Sequence, residues 1–74
     1  MQFDEAKIDD AVLALLYLTL HDNGRAWKTL DFDAMNRLHQ RGLILDPASK
    51  AKSVVLTEEG EARAKVLAEK LFGK

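Results

Sequence analysis

Apolar residues dominate the first part of the chain and recur with a helical rather than an alternating period. Projection of residues 4–21 at about 100° per residue spreads them over an arc of roughly 220°. Asp4 is a suitable N-cap, and acids in the opening turns suit the positive end of the helix dipole. An apolar arc this wide must be buried against other elements on more than one side of the helix. We therefore predict that this helix is either the central post of the fold or part of a contact with a second copy.

The first helix is predicted to end at Asn23 and Gly24, because both residues accept left-handed backbone geometry. The next segment, Arg25 to Leu30, alternates in the way that is typical of a short strand. Trp27 lies in this strand. We expect it to be a core anchor over a hairpin, and the alternative is an exposed aromatic residue at a binding surface.

A second helix is predicted from Asp31, as its cap, to Gly42, which ends it. Its apolar stripe is narrow and consists of Phe32, Met35 and Leu38.

A hairpin and a third helix complete the chain. Short β-like runs at residues 43–46 and 53–56 flank a long tip, and Thr57 caps the last helix. The buried stripe of that helix is predicted at Ala64, Leu67, Ala68 and Leu71. The sequence thus predicts one α+β domain over residues 1–74, in the order helix, strand, helix, hairpin, helix.

Composition narrows the class of protein. The 74 residues contain no cysteine, which excludes disulfide scaffolds, thiol catalysis and zinc sites built on cysteine. The longest apolar stretch, Ala11 to Leu20, is about half of the roughly 20 residues that a membrane span needs. We therefore expect a cytoplasmic protein that does not enter the membrane.

The net charge of -1 hides an uneven distribution. Residues 1–24 carry a balance of -4 and residues 25–56 one of +3. Within the basic part, Arg37, Arg41, Lys50 and Lys52 are the candidate contacts for nucleic-acid phosphates or for a partner. The alternative is an ordinary solvated surface, since the pI of 6.1 is far below the value of about 9 or more that marks a strongly basic nucleic-acid footprint.

Self-association is the other candidate role. We place its contacts on the first helix, at Leu13, Tyr17 and Leu20.

Catalytic, cofactor and metal sites are not expected. His21 and His39 lie on different helices without ligand spacing, and no nucleophile or phosphate-loop motif is present. The sequence therefore predicts neither an enzymatic activity nor a bound cofactor.

Part of the chain resembles the second half of a winged-helix domain. The stretch from Arg37 to Ile44, the basic residues at 50–52 and the run from Val54 to Gly60 are similar to repressors of the multiple-antibiotic-resistance type. The whole chain also resembles a small bacterial family built on a domain of unknown function, through residues 7–18, 25–28 and the same wing. These resemblances imply a winged-helix-like fold and no particular activity.

The chain departs from a DNA-reading helix-turn-helix at one point. Such a motif needs two consecutive helices, yet no helix is predicted between the first helix and Asp31. The helix that would enter the groove opens with Asp31 and Asp33, whose carboxylates repel phosphates. We therefore favour a non-catalytic protein-interaction or assembly module, which binds a protein partner or itself. The alternative is a weak nucleic-acid-binding regulator that uses the wing and the second helix.

Overall fold

The computed structural model describes residues 1–28, 31–48 and 50–74. Its first helix, α1, spans Glu5–Leu18, and Asp4 caps it: Oδ1 accepts hydrogen bonds from the backbone N–H groups of Ala6 and Lys7 at 2.9 and 3.3 Å. A tight turn at residues 22–24 follows, with φ angles of 34°, 63° and 87°. These left-handed angles explain why the sequence places Asp, Asn and Gly there.

Two short strands form an antiparallel sheet. Strand β1 (Arg25–Trp27) pairs with β2 (Ser53–Val55), and Ala26 lies opposite Val54. The predicted strand continues to Leu30, but Thr29 and Leu30 lie outside the described residues.

The predicted hairpin also forms, along the other edge of β2. Ile44 pairs with Leu56, the N–H of Leu45 donates to Val55 O at 2.8 Å, and the N–H of Thr57 donates to Leu43 O at 3.1 Å. Strand β2 therefore lies between β1 and the chain at residues 43–45. The tip includes Ser49, which lies outside the described part of the chain.

Helix α2 spans Phe32–Gln40 and is capped by Asp31, whose Oδ1 accepts from Ala34 N at 3.0 Å. Gly42, at φ 75°, follows its end. The buried stripe is Ala34, Met35 and Leu38. Phe32, the first member of the predicted apolar stripe, lies in the first turn, beyond the edge of the core, and is 60% exposed.

Helix α3 spans Glu58–Phe72 and begins at its predicted cap, Thr57, which accepts from Gly60 N at 3.0 Å. Ala64 and Ala68 are buried and Leu67 is half-buried, as the predicted stripe requires. Leu71, in the last turn, is 48% exposed and does not complete the stripe.

Helix α1 is the central post of the fold. It packs against α3, α2 and β1, and the N-terminal half of α1 lies beside the C-terminal half of α3. Three sides of α1 are thereby covered, which accounts for most of its wide apolar arc. The core contains Val12, Leu13, Leu16, Ala26, Ala34, Met35, Leu38, Leu43, Ile44, Val54, Leu56 and Ala64. The α+β class and the predicted order of elements are confirmed.

Candidate interaction surfaces

Arg37 links α2 to α1. Its Nε donates to both oxygens of Asp9 at 3.0 and 2.9 Å, Nη2 donates to Asp9 Oδ1 at 2.7 Å, and Nη1 donates to Glu5 Oε2 at 3.2 Å. Asp9 is only 4% exposed, so it depends on this partner for its charge to be tolerated. The hydrogen bonds to Asp9 raise the pKa of Arg37 above its ordinary value. The charge of Arg37 is already compensated, which removes it from the predicted basic cluster.

The other three members of that cluster are exposed. Arg41 follows the last turn of α2, and Lys50 and Lys52 lie in the hairpin tip. Over the ranges 1–28, 31–48 and 50–74, none of the three forms an ion pair. They provide positive charge at the surface, without the fixed geometry that Arg37 would have added.

An aromatic corner closes the free edge of β1. His21 and Arg25 exchange backbone hydrogen bonds of 2.7 and 2.8 Å, and the N–H of Trp27 donates to Thr19 Oγ1 at 3.1 Å. The ring of His21 lies against that of Trp27, with centroids 4.7 Å apart and planes inclined by 32°. His21 is fixed in turn by a 2.7 Å hydrogen bond from Nδ1 to Thr19 O. The corner is thus built from several mutually supporting contacts.

Trp27 is 54% exposed, so the expectation that it anchors the core was wrong. Ala26, and not Trp27, points into the core, and neighbouring strand residues point to opposite faces. The register places one set of side chains on the outer face of the sheet, which we call the sheet face: His21, Arg25, Trp27, Leu45, Ser53 and Val55. None of these six residues is acidic.

A second surface lies along α1 and α3. Leu15 and Leu18 are 46% and 60% exposed, and they follow Ala11 at helical spacing on one side of α1. Beside Ala11, a groove of about 340 Å³ separates α1 from Leu67 and Leu71 of α3. The polar residues that line the groove are Lys7, Asp10 and Lys70. We call this surface, with Leu15 and Leu18, the helix face.

The helix face differs from the contact predicted on α1. Leu13 is fully buried in the core, so it offers no surface to a second copy. Tyr17 and Leu20 are half-buried and pack against the same core. Leu15 and Leu18 were not predicted as contacts, although their spacing with Ala11 marks one side of the helix, because a wide apolar arc does not reveal which side remains uncovered.

The remaining candidate chemistry is sparse. His39 is exposed and its Nδ1 donates to Ile44 O at 3.1 Å. Among the residues that the structure describes, no group of three metal-binding side chains lies close enough to hold an ion. No helix in those ranges has the length and apolar character needed to cross a membrane.

Comparison with known proteins identifies the family of the chain and a close relative in sequence. The family model of a domain of unknown function, DUF6429, matches residues 4–74. The chain is 58% identical over 72 residues to "Uncharacterized protein y4hR" of Sinorhizobium fredii (strain NBRC 101917 / NGR234), and the match covers 97% of each chain. No solved structure matches the chain.

Proposed function

We propose that this chain, which belongs to the DUF6429 family, is a cytoplasmic, non-catalytic interaction module on a winged-helix-like scaffold that pairs with a second copy of itself through the helix face. The observation that carries the proposal is the exposure of Leu15 and Leu18 beside the groove at Leu67 and Leu71. Apolar side chains that share one surface are favoured interaction sites, because burial removes them from water.

The charges around the groove favour a second copy as the occupant. Lys7 and Lys70 are positive and Asp10 is negative, so one rim carries both signs. A two-fold axis brings the same patch together from both copies, and a lysine of one copy then meets Asp10 of the other. The net charge of -1 adds little repulsion between copies.

The area of the helix face determines how tightly we expect two copies to bind. Helices of 14 and 15 residues are each about 21 Å long, and packed helices lie about 8–10 Å apart. The shared face therefore measures roughly 20 by 20 Å in projection, about 400 Å², whereas stable complexes bury about 800 Å² per partner. We expect a weak dimer that forms and dissociates with concentration.

Sedimentation velocity over a concentration series from about 1 μM to about 1 mM tests the proposal. Leu18→Ser removes an exposed leucine from the helix face. Burial of the exposed part of the Leu18 side chain contributes about 1–2 kcal/mol to binding, and a two-fold dimer buries this side chain from both copies. The dissociation constant of the dimer should therefore rise at least roughly 30-fold.

Leu45→Ser is the matched control, because Leu45 is 53% exposed but belongs to the sheet face. It should leave the dimer unchanged. A wild-type chain that stays monomeric at about 1 mM, or equal effects of the two substitutions, would contradict pairing through the helix face.

A further inference from the structure

The sheet face combines an exposed tryptophan, which packs on a half-buried histidine, with positive charge. Trp27 is more than half exposed, and the ring of His21 supports it from one side. Arg25 lies two residues before Trp27 on the same strand, so the two side chains share the outer face. Lys50 and Lys52 are exposed in the adjoining tip, and Lys52 O accepts the N–H of Lys28 at 2.9 Å, which fixes the tip to the end of β1.

We infer that the sheet face binds single-stranded nucleic acid, with a base stacked on Trp27 and backbone phosphates beside Arg25 and the lysines of the tip. Surfaces that bind single strands combine these two features, because every base has a flat π-face and every linkage carries a negative charge. Three acids lie at the margin of the sheet face: Asp22 in the turn before β1, Asp46 after Leu45, and Glu61, whose Oε2 is 3.7 Å from where a Cβ of Gly24 would lie. The sheet face itself carries Arg25 and no carboxylate.

The geometry favours a single strand over a duplex. Stacking on Trp27 requires a base that has left its own stack, and the bases of an intact duplex are not available in this way. Helix α2, which would have to enter a groove, opens with exposed Asp31 and Asp33. Arg37 is paired with Asp9 and Glu5, so its positive charge is already neutralised within the fold and adds little attraction for a phosphate.

The same features fit a protein partner less well. Two of the three cations of this region are Lys50 and Lys52, and lysine is depleted in protein interfaces. The free edge of β1, which could add a strand from a partner, is occupied at Arg25 by His21 and at the N–H of Trp27 by Thr19. A nucleic-acid strand, which has negative phosphates and flat bases that stack on Trp27, matches the sheet face in both charge and shape.

Trp27 is the single tryptophan of the chain, so intrinsic fluorescence reports on this site alone. The experiment titrates the full chain with oligo(dT) and oligo(U) of about 12 nucleotides and with a duplex of the same length, at about 50 mM and about 200 mM salt. We expect quenching by the single strands. With three phosphate contacts, affinity should fall roughly 20-fold between the two salt concentrations. The two oligomers distinguish RNA from DNA as the preferred strand.

Three variants assign the binding to the sheet face, and anisotropy of a labelled oligomer measures them. Trp27→Ala should weaken binding roughly 5- to 150-fold, and Trp27→Phe should restore part of the loss because it keeps a ring. Arg25→Gln should lower the slope of log affinity against log salt concentration by the amount that one phosphate contact contributes. Arg63→Gln is the matched control, since Arg63 is an exposed arginine on α3 and loses the same charge.

Several results would overturn the inference. One is absence of binding at about 100 μM protein in low salt. Another is an affinity for the duplex that equals or exceeds that for the single strands, together with no effect of Trp27→Ala. A third is loss of dimerisation in Trp27→Ala, which would make the sheet face an interface between copies. Far-UV circular dichroism of each variant establishes that it is folded.

Discussion

Replacement of Gly60 by alanine is the sharpest test of how α3 is joined to the rest of the molecule. Gly60 lies in the first turn of α3, directly against the backbone of Leu43. A Cβ at this position would lie 2.7 Å from the carbonyl carbon of Leu43 and 3.0 Å from its Cα. Glycine is therefore required by the close approach of two backbone segments, although it is a poor residue within a helix.

The magnitude follows from the separation that the added methyl group demands. The carbonyl oxygen of Leu43 would be the nearest atom, deep inside van der Waals contact, and carbon atoms approach to about 3.5 Å, so the first turn of α3 must move away by more than about 1 Å. Two hydrogen bonds then exceed their normal range: Thr57 N to Leu43 O, now 3.1 Å, and Thr57 Oγ1 to Gly42 O, now 2.7 Å. Each contributes about 1 kcal/mol and the lost packing contributes more, whereas alanine returns about 1 kcal/mol of helix propensity. We expect a net loss of about 2 kcal/mol.

Urea denaturation followed by circular dichroism measures this loss, and a thermal scan should show a decrease of Tm by about 8–16 °C. Ala62→Gly is the control, because Ala62 is exposed on the same helix and loses only about 1 kcal/mol of propensity. Helix propensity alone predicts opposite signs for the two substitutions. If Gly60→Ala leaves the free energy of unfolding unchanged or raises it, the close approach of α3 to Leu43 is refuted.

Two further comparisons test the core and the link between α1 and α2. Leu13→Ala should lower the free energy of unfolding by about 2–5 kcal/mol, because Leu13 is fully buried, whereas Leu15→Ala should lower it by less than about 1 kcal/mol; equal losses in urea denaturation would contradict the burial of α1. Asp9→Asn should lower Tm more than Asp10→Asn, since only Asp9 forms the bidentate pair with Arg37; an equal or larger decrease for Asp10→Asn would contradict that pair.

The starts of the three helices could be predicted from the sequence because their signals are local, whereas α1 ends at Leu18, three residues before its predicted end near His21. Asp4, Asp31 and Thr57 each accept a hydrogen bond from the first turn that follows. The turn between α1 and β1 needs three consecutive left-handed residues, and the sequence offers Asp, Asn and Gly. Such features depend on a few adjacent residues, so the sequence contains all that determines them.

The positions of the large side chains depended on tertiary contacts. Trp27 and Phe32 are hydrophobic enough to be buried, yet both are exposed. Ala26 of β1 faces the core, where α1 fills the adjoining space. The larger neighbour, Trp27, therefore points outward. Local alternation predicts two faces of a strand but cannot tell which of them meets the core when both contain apolar residues.

The candidate surfaces show the same limit. Arg37 belongs to a basic segment of the chain, but the fold brings it to Asp9, which is 28 positions away along the chain. The distribution of charges along the chain does not reveal this pairing, because the two residues meet only when the helices pack together. The exposed cations that remain are Arg41 at the end of α2, the two lysines of the tip and Arg25 of β1, so most of the basic region lies closer to Trp27 than to α2.

The helix face and the sheet face share no residue. A dimer formed through the helix face would carry two sheet faces, and a strand long enough to reach both would bind the second at a high effective concentration. We therefore expect an oligomer of about 40 nucleotides to bind the wild-type chain more tightly, per site, than one of about 12 nucleotides. Leu18→Ser should remove this difference and leave binding of the short oligomer unchanged. If the advantage of the long oligomer persists in that variant, pairing through the helix face does not contribute to binding by the sheet face.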